Sequence, residues 1–187
     1  MGKAYANRKD VSSRNTNDYY PTPLPLIIEL EKLSIIKKSD RVLEPCCGEA
    51  RRISVYFNSL GYSFEEKDIV FGNDFLKDDY SGSHYDAVVT NPPFSLWDDF
   101  VSKSKEIADK VVLIGRTNYF GAYRRNAEGI WNGLKKVFIF NRQVAYDRMS
   151  DDPMRLLCGC LVTGWFYWEK GYSGNPEIEI MDVQKYC

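Results

Sequence analysis

The chain has 187 residues, of which 44% are apolar and 27% charged, with a formal net charge of −1. That length suits one well-packed domain, the apolar share a globular rather than a disordered chain, and the near-neutral balance argues against a general polyanion binder. No apolar run approaches membrane-spanning length and no charged-then-apolar leader opens the sequence, so a soluble cytoplasmic protein is expected.

Residues 1–18 carry few large apolar groups and read as a flexible polar arm, with 19–187 as a single folded domain. The stretch "PTPLPLIIELEKL" starts a helix: Pro23 and Pro25 suit a first turn, and Leu26, Ile27, Leu30 and Leu33 share a face. "RVLEP" (41–45) is a short strand stopped by Pro45, and "CCGEARRISVYFNSLG" follows as a turn and then a helix ending before Gly61. "YSFEEKDI" (62–69) and "YDAVVT" (85–90) are the next strands, with an amphipathic helix over about 95–109. "KVVLIG" (110–115) is all apolar, as a strand covered on both faces must be, and "KVFIF" (136–140) is another strand. "CGCLVTGWFYWEKG" (158–171) predicts a long aromatic strand, and "YSGNP" turns it into a final alternating strand, "EIEIMDV". Strands alternating with helices, closed by a terminal hairpin, predict an α/β fold: a mostly parallel sheet with an antiparallel C-terminal hairpin.

Five cysteines, Cys46, Cys47, Cys158, Cys160 and Cys187, make a poor disulfide framework and point to a reducing compartment. With His84 the only histidine and no second pair of closely spaced cysteines, neither a zinc site nor a two-histidine mechanism is expected. Residues 111–155 hold a local excess of four positive charges, a candidate phosphate-binding face that ordinary solvated surface explains equally well.

The residues that carry chemistry cluster at strand ends. In an open parallel sheet, ligands sit outside the carboxyl ends of the strands. Here the first strand runs into Glu44-Pro45-Cys46-Cys47-Gly48-Glu49-Ala50, the second into Asp68 and then Asn73-Asp74-Phe75, and the third into Asn91-Pro92-Pro93-Phe94. Taken singly, Gly48 fits a structural turn, Asp68 an exposed strand end, Asp74 a turn cap and Asn91 a turn former. A stiff proline pair followed by an aromatic ring is harder to read as mere structure, since two prolines end a strand abruptly.

"DYYPTP", "VLEPCCGEA", "DI" followed by "GNDFL", and "VVTNPPFS" resemble, in order and spacing, the S-adenosylmethionine-dependent adenine-N(6) DNA methyltransferases. The small phage and prophage type is the most similar, with "RTNYFGAYRR" and "GWFYWEKGYSGNP" extending the resemblance over roughly residues 18–181. It implies a class I, Rossmann-like methyltransferase catalytic domain without a separate target-recognition domain, and S-adenosyl-L-methionine as cofactor. It implies that Tyr20, Pro21 and Thr22 close over the methionine end of the cofactor, and that Glu44, Pro45 and Gly48 form the loop beneath it. Asp68 would bind the ribose hydroxyls, with Glu66 the alternative acid, and Asp74 with Phe75 would read the cofactor's adenine. Asn91, Pro92, Pro93 and Phe94 would hold the target adenine, flipped out of DNA. Ala50 departs from the family, which usually has a second glycine there, and the Arg51-Arg52 pair follows it. Target contacts are expected from the arm, from 117–133 or from 141–157, with Arg124, Arg125, Arg142, Tyr146 and Phe140 as candidates. RNA adenine as substrate, or a silent cofactor-binding relative, are the alternatives.

Overall fold

The computed structural model describes residues 20–145, 154 and 156–186. The expected arm at 1–18 and the candidate Tyr146 lie outside the described residues. Chain order runs α1 (Leu24–Lys32), β1 (Arg41–Glu44), α2 (Arg52–Ser59), β2 (Ser63–Glu66), β3 (Tyr85–Thr90), α3 (Trp97–Ile107), β4 (Ala108–Arg116), α4 (Tyr123–Ala127) and β5 (Leu134–Phe140). There follow β6 (Val144–Ala145), β7 (Leu157–Cys158), β8 (Thr163–Glu169) and β9 (Glu177–Met181).

Seven strands form one sheet in the order β2-β1-β3-β4-β8-β5-β9, while β6 and β7 pair separately. β2, β1, β3 and β4 are mutually parallel, so all four deliver their carboxyl ends to one edge. β8 runs antiparallel between β4 and β5. The predicted terminal hairpin is corrected here: β8 and β9 do not pair, because β5 lies between them and pairs parallel with β9. The long aromatic strand is also shorter than expected, with Leu157–Cys158 diverted into the small two-stranded sheet.

The alternation of side chains explains why the central strands read as continuous apolar runs. On β4, Val112 and Ile114 face the layer with α1 and α2, whereas Val111 and Leu113 face α3. On β8, Trp165 and Tyr167 join the first layer, and Phe166 and Trp168 the second. Three fully buried tryptophans keep their indole N–H groups satisfied by donating to backbone carbonyls: Trp97 to Ile114 (2.9 Å), Trp165 to Leu26 (3.0 Å) and Trp168 to Ile130 (2.9 Å). A buried indole donor left unpaired would cost about 1–3 kcal/mol, so these bonds fix the register of the aromatic core. Where β4 and β8 cross, Gly115 faces Gly164; a Cβ on Gly164 would strike the Phe138 carbonyl of β5. Among the described residues no helix is long and apolar enough to cross a membrane.

Candidate active site at the carboxyl ends of the central strands

The three strand ends are tied to one another before any ligand is considered. Past β1, the Lys67 N–H donates to the Glu44 carbonyl (2.9 Å) and the Cys47 N–H to the Lys67 carbonyl (3.1 Å), extending the β1–β2 ladder into the loops. The Thr90 hydroxyl at the end of β3 donates to the Cys46 carbonyl (3.3 Å). Together they frame an open crevice at the carboxyl edge of the sheet.

Most of the expected residues meet there. Tyr20, Pro21 and Thr22, before α1, line the crevice together with Glu44 and Pro45 at the end of β1. Asp68, Asp74 and Phe75 line the wall after β2, and Asn91 and Pro93 the wall after β3. Gly48 sits in the loop beside it, in the left-handed region (φ 62°) that a glycine adopts without strain. Pro92 is buried behind the lining, and Phe94 packs beyond it.

Ala50 lines the crevice without adopting a positive φ; that conformation falls on Gly48 and on Arg51 (φ 47°). The backbone therefore makes its turn without needing a second glycine. Arg51 points away, pairing with Glu66 (3.2 Å) and lying over the Phe71 ring. Glu66 is not among the residues that line the crevice, whereas Asp68 is. Arg52 was not singled out from the sequence, yet it lines the crevice, its guanidinium donating to the Thr22 carbonyl (3.5 Å).

Asp68 is 3% exposed and does more than face the crevice. Its carboxylate accepts the N–H of Gly48 (2.7 Å) and, from the cap of the short turn Ile69–Phe71, the N–H of Val70 (2.9 Å). It therefore holds two loops in place. Glu44, 1% exposed, accepts the Ser54 N–H (2.8 Å) and so caps the first turn of α2 from a neighbouring strand. Burial pushes its carboxyl up to about 8, against the pull of the Ser54 bonds; Glu66 and Asp68 nearby push the same way. Asp74 is held below the usual carboxylate range by the Lys77 ammonium at 2.8 Å. Burial, with Asp68 and Glu44 close by, drives the Cys46 thiol well up, and burial pushes Cys47 to about 12. Neither thiol is a nucleophile near neutral pH, although both line the crevice.

After β3, the Asn91 side-chain N–H donates to the Tyr20 carbonyl (3.2 Å), which leaves the amide oxygen as the acceptor. The Tyr119 hydroxyl donates to the Phe94 carbonyl (3.4 Å), and the Arg116 guanidinium lies over the Phe94 ring, 4.5 Å from its centroid. Neither Tyr119 nor Arg116 was singled out individually from the sequence; only the segment "RTNYFGAYRR" pointed there.

The remaining candidates fare differently. Arg124 is exposed and pairs with Glu128 (2.7 Å), while Arg125 is largely buried against Asp98 (2.6 Å) and the Tyr119 ring. Arg142 donates to the Leu156 carbonyl (3.3 Å) on the side of the small sheet. Phe140 is 2% exposed and belongs to the core, so it is corrected from a base contact to a packing residue. His84 is exposed and pairs with Asp109 (3.1 Å) at the opposite, amino end of β3 and β4.

Neither a protein-family model nor a curated protein matches the sequence. Solved structures do match. The modification subunit ascribed to a type I restriction enzyme from Vibrio vulnificus superposes with a TM-score of 0.58 at 11% identity, over 91% of this chain and 48% of that one. A TehB-like SAM-dependent methyltransferase from Corynebacterium glutamicum gives 0.51 at 14% identity, over 78% and 88%. The 23S rRNA methyltransferase ErmE gives 0.50 at 13% identity, over 83% and 72%. The chain spans about half the length of the restriction-enzyme subunit. At these identities the likeness is one of fold: a seven-stranded α/β sheet of the class I, Rossmann-like methyltransferase type.

Proposed function

We propose that the protein transfers a methyl group from S-adenosylmethionine to the exocyclic 6-amino group of adenine in DNA. The observation that carries this reading is the convergence of Asn91 and Pro93 on the same crevice as Glu44, Asp68 and Arg52. The donor set suits that cofactor. Arg52 offers a cation for a carboxylate, Glu44 a buried acid for an ammonium, Asp68 lone pairs for ribose hydroxyls, and Ile69, Phe75, Leu76 and Phe100 an apolar wall for a base. When bound, the cofactor supplies an electrophilic methyl group on a sulfonium.

The chain's own residues would prepare the nucleophile. An adenine amine is weakly nucleophilic because its lone pair is delocalised into the ring. The Asn91 amide oxygen and the Pro92 carbonyl accept its two hydrogens, which turns the nitrogen lone pair out of the ring plane. Positive charge grows on that nitrogen as the N–C bond forms and the S–C bond breaks, and fixed acceptor dipoles stabilise it. The proline pair keeps those acceptors from reorganising, and orientation supplies much of the remainder. Phe94 stacks on the base once it has left the helix.

The neighbours in fold include the modification subunit ascribed to a type I restriction enzyme and an rRNA methyltransferase, which makes the polymer the point to test. Purified protein is incubated with methyl-labelled S-adenosylmethionine and, in parallel, unmethylated duplex DNA, single-stranded DNA and total RNA. Label in DNA is the expected result. Label in RNA alone would move the substrate, and cofactor binding without transfer to any polymer would point to a silent relative.

A further inference from the structure

We propose that Tyr123 enters the base stack of duplex DNA and fills the gap left when the target adenine swings out, an assignment that rests on the DNA reading above. Tyr123 opens α4, on the segment that leaves the carboxyl end of β4. β3 and β4 are parallel, so that segment and Asn91 stand at the same edge of the sheet. The segment is braced to the chain after β3 at two points. The Tyr119 hydroxyl donates to the Phe94 carbonyl (3.4 Å), and Arg125 pairs with Asp98 (2.6 Å) in the first turn of α3. Tyr123 lies between those braces, four residues on from Tyr119. That is a reach of at most about 14 Å, well inside the roughly 34 Å of one duplex turn.

Exposure singles this ring out. At the same edge, exposed Ile69, Val70 and Leu96 line the crevice, Phe71 lies under the Arg51 guanidinium, and the Phe120 ring stacks on Trp131 (4.6 Å). Tyr123 is 85% exposed, more than any other large apolar side chain among the described residues. Its ring and hydroxyl have no partner among those residues.

The flanking charge says what covers it. From Arg116 to Ala127 the chain carries three arginines and no acid. Arg125 is held by Asp98, but Arg124, next to the ring, has an exposed i,i+4 pair with Glu128, a contact weak enough to be exchanged for a phosphate. An adenine that leaves the duplex gives up its stacking on both sides. An aromatic side chain pushed into that step restores part of it, and a neighbouring guanidinium holds the backbone while it does so.

The test uses the full chain and a short duplex built around an adenine that the wild type methylates. 2-Aminopurine in place of that adenine brightens when it leaves the stack, and S-adenosylhomocysteine holds the complex without turnover. The wild type should raise the fluorescence. Tyr123→Ala should lose most of that rise and transfer methyl groups to the adenine duplex roughly tenfold more slowly, with cofactor affinity and melting temperature unchanged. Tyr123→Phe, which keeps the ring, should restore both readouts. With an abasic site opposite the adenine the base leaves at little cost, and the deficit of Tyr123→Ala should disappear. Wild-type fluorescence and rate in Tyr123→Ala on the paired duplex would overturn the proposal. So would an equal deficit on the paired and abasic duplexes, because Tyr123 would then only bind DNA or shape the site. A wild type that methylates no DNA would overturn the reading of function itself, a result separate from any difference between variants, and Tyr123 would have no gap to fill.

Discussion

On the β1–β2 side of the crevice the acids are pinned by backbone N–H groups, Asp68 by Gly48 and Val70 and Glu44 by Ser54. On the β3–β4 side Asn91, Phe94 and Arg116 are placed by side-chain contacts, to the Tyr20 carbonyl, the Tyr119 hydroxyl and one another. The first side is part of the scaffold: its carboxylates close loops and cap a helix as well as lining the crevice. The second can change its side chains without opening the backbone. Substitutions on the two sides should therefore differ in what else they disturb.

The largest expected effect lies on the β3 side. Asn91→Ala should lower kcat by about 10²- to 10³-fold, the loss typical of one preorganised dipole at a reacting centre, while calorimetric cofactor affinity and melting temperature stay at wild-type values. A parallel fall in stability would erase the distinction between the sides. On the other side, Arg52→Ala should weaken cofactor binding by about 10- to 100-fold, the worth of a charge-assisted hydrogen bond, with kcat at saturating cofactor little changed. Asp68→Ala should do two things at once, weakening cofactor binding and costing roughly 1–3 kcal/mol of stability in denaturant titration, since it orphans the N–H groups of Gly48 and Val70. Loss of affinity at full stability would mean that the two loops hold without it.

A separate effect concerns pH. Glu44 is raised from 4.5 to about 8 in the folded protein, so between those values the folded state binds more protons than the unfolded one. Stability of the cofactor-free protein should then fall as pH rises through that window, and Glu44→Gln should flatten the fall. Glu29, Asp109 and Glu169 titrate below their ordinary values and act at lower pH, outside the window. A thermal-melting series in both proteins reads the difference.

Much of this arrangement was legible in the sequence because strand ends announce themselves. Pro45, the Pro92-Pro93 pair and Gly48 each stop or turn the chain where regular structure cannot continue, so the residues beside them could be assigned to one edge of a sheet. Pairing was less legible. Alternation in "EIEIMDV" shows a half-exposed strand but says nothing of its neighbour, and β9 joins β5 in parallel instead of turning back on β8. Direction of long side chains was not legible either. Arg51 and Arg52 are adjacent, yet the left-handed φ of Arg51 sends one to Glu66 and brings the other to the crevice. Arg124 and Arg125 are adjacent in sequence too, yet one pairs with Glu128 at the surface and the other is largely buried against Asp98, which three dimensions alone reveal.

The most direct test of the central claim is the position of the transferred methyl group. DNA methylated by the protein is digested to nucleosides and the product identified by mass spectrometry against standards. N6-methyladenine, absent when Asn91→Ala replaces the wild type, is the predicted result. A methyl group on a cytosine, or on a ring nitrogen of adenine, would contradict the account, because Asn91 and Pro92 would then not be holding the amine that reacts.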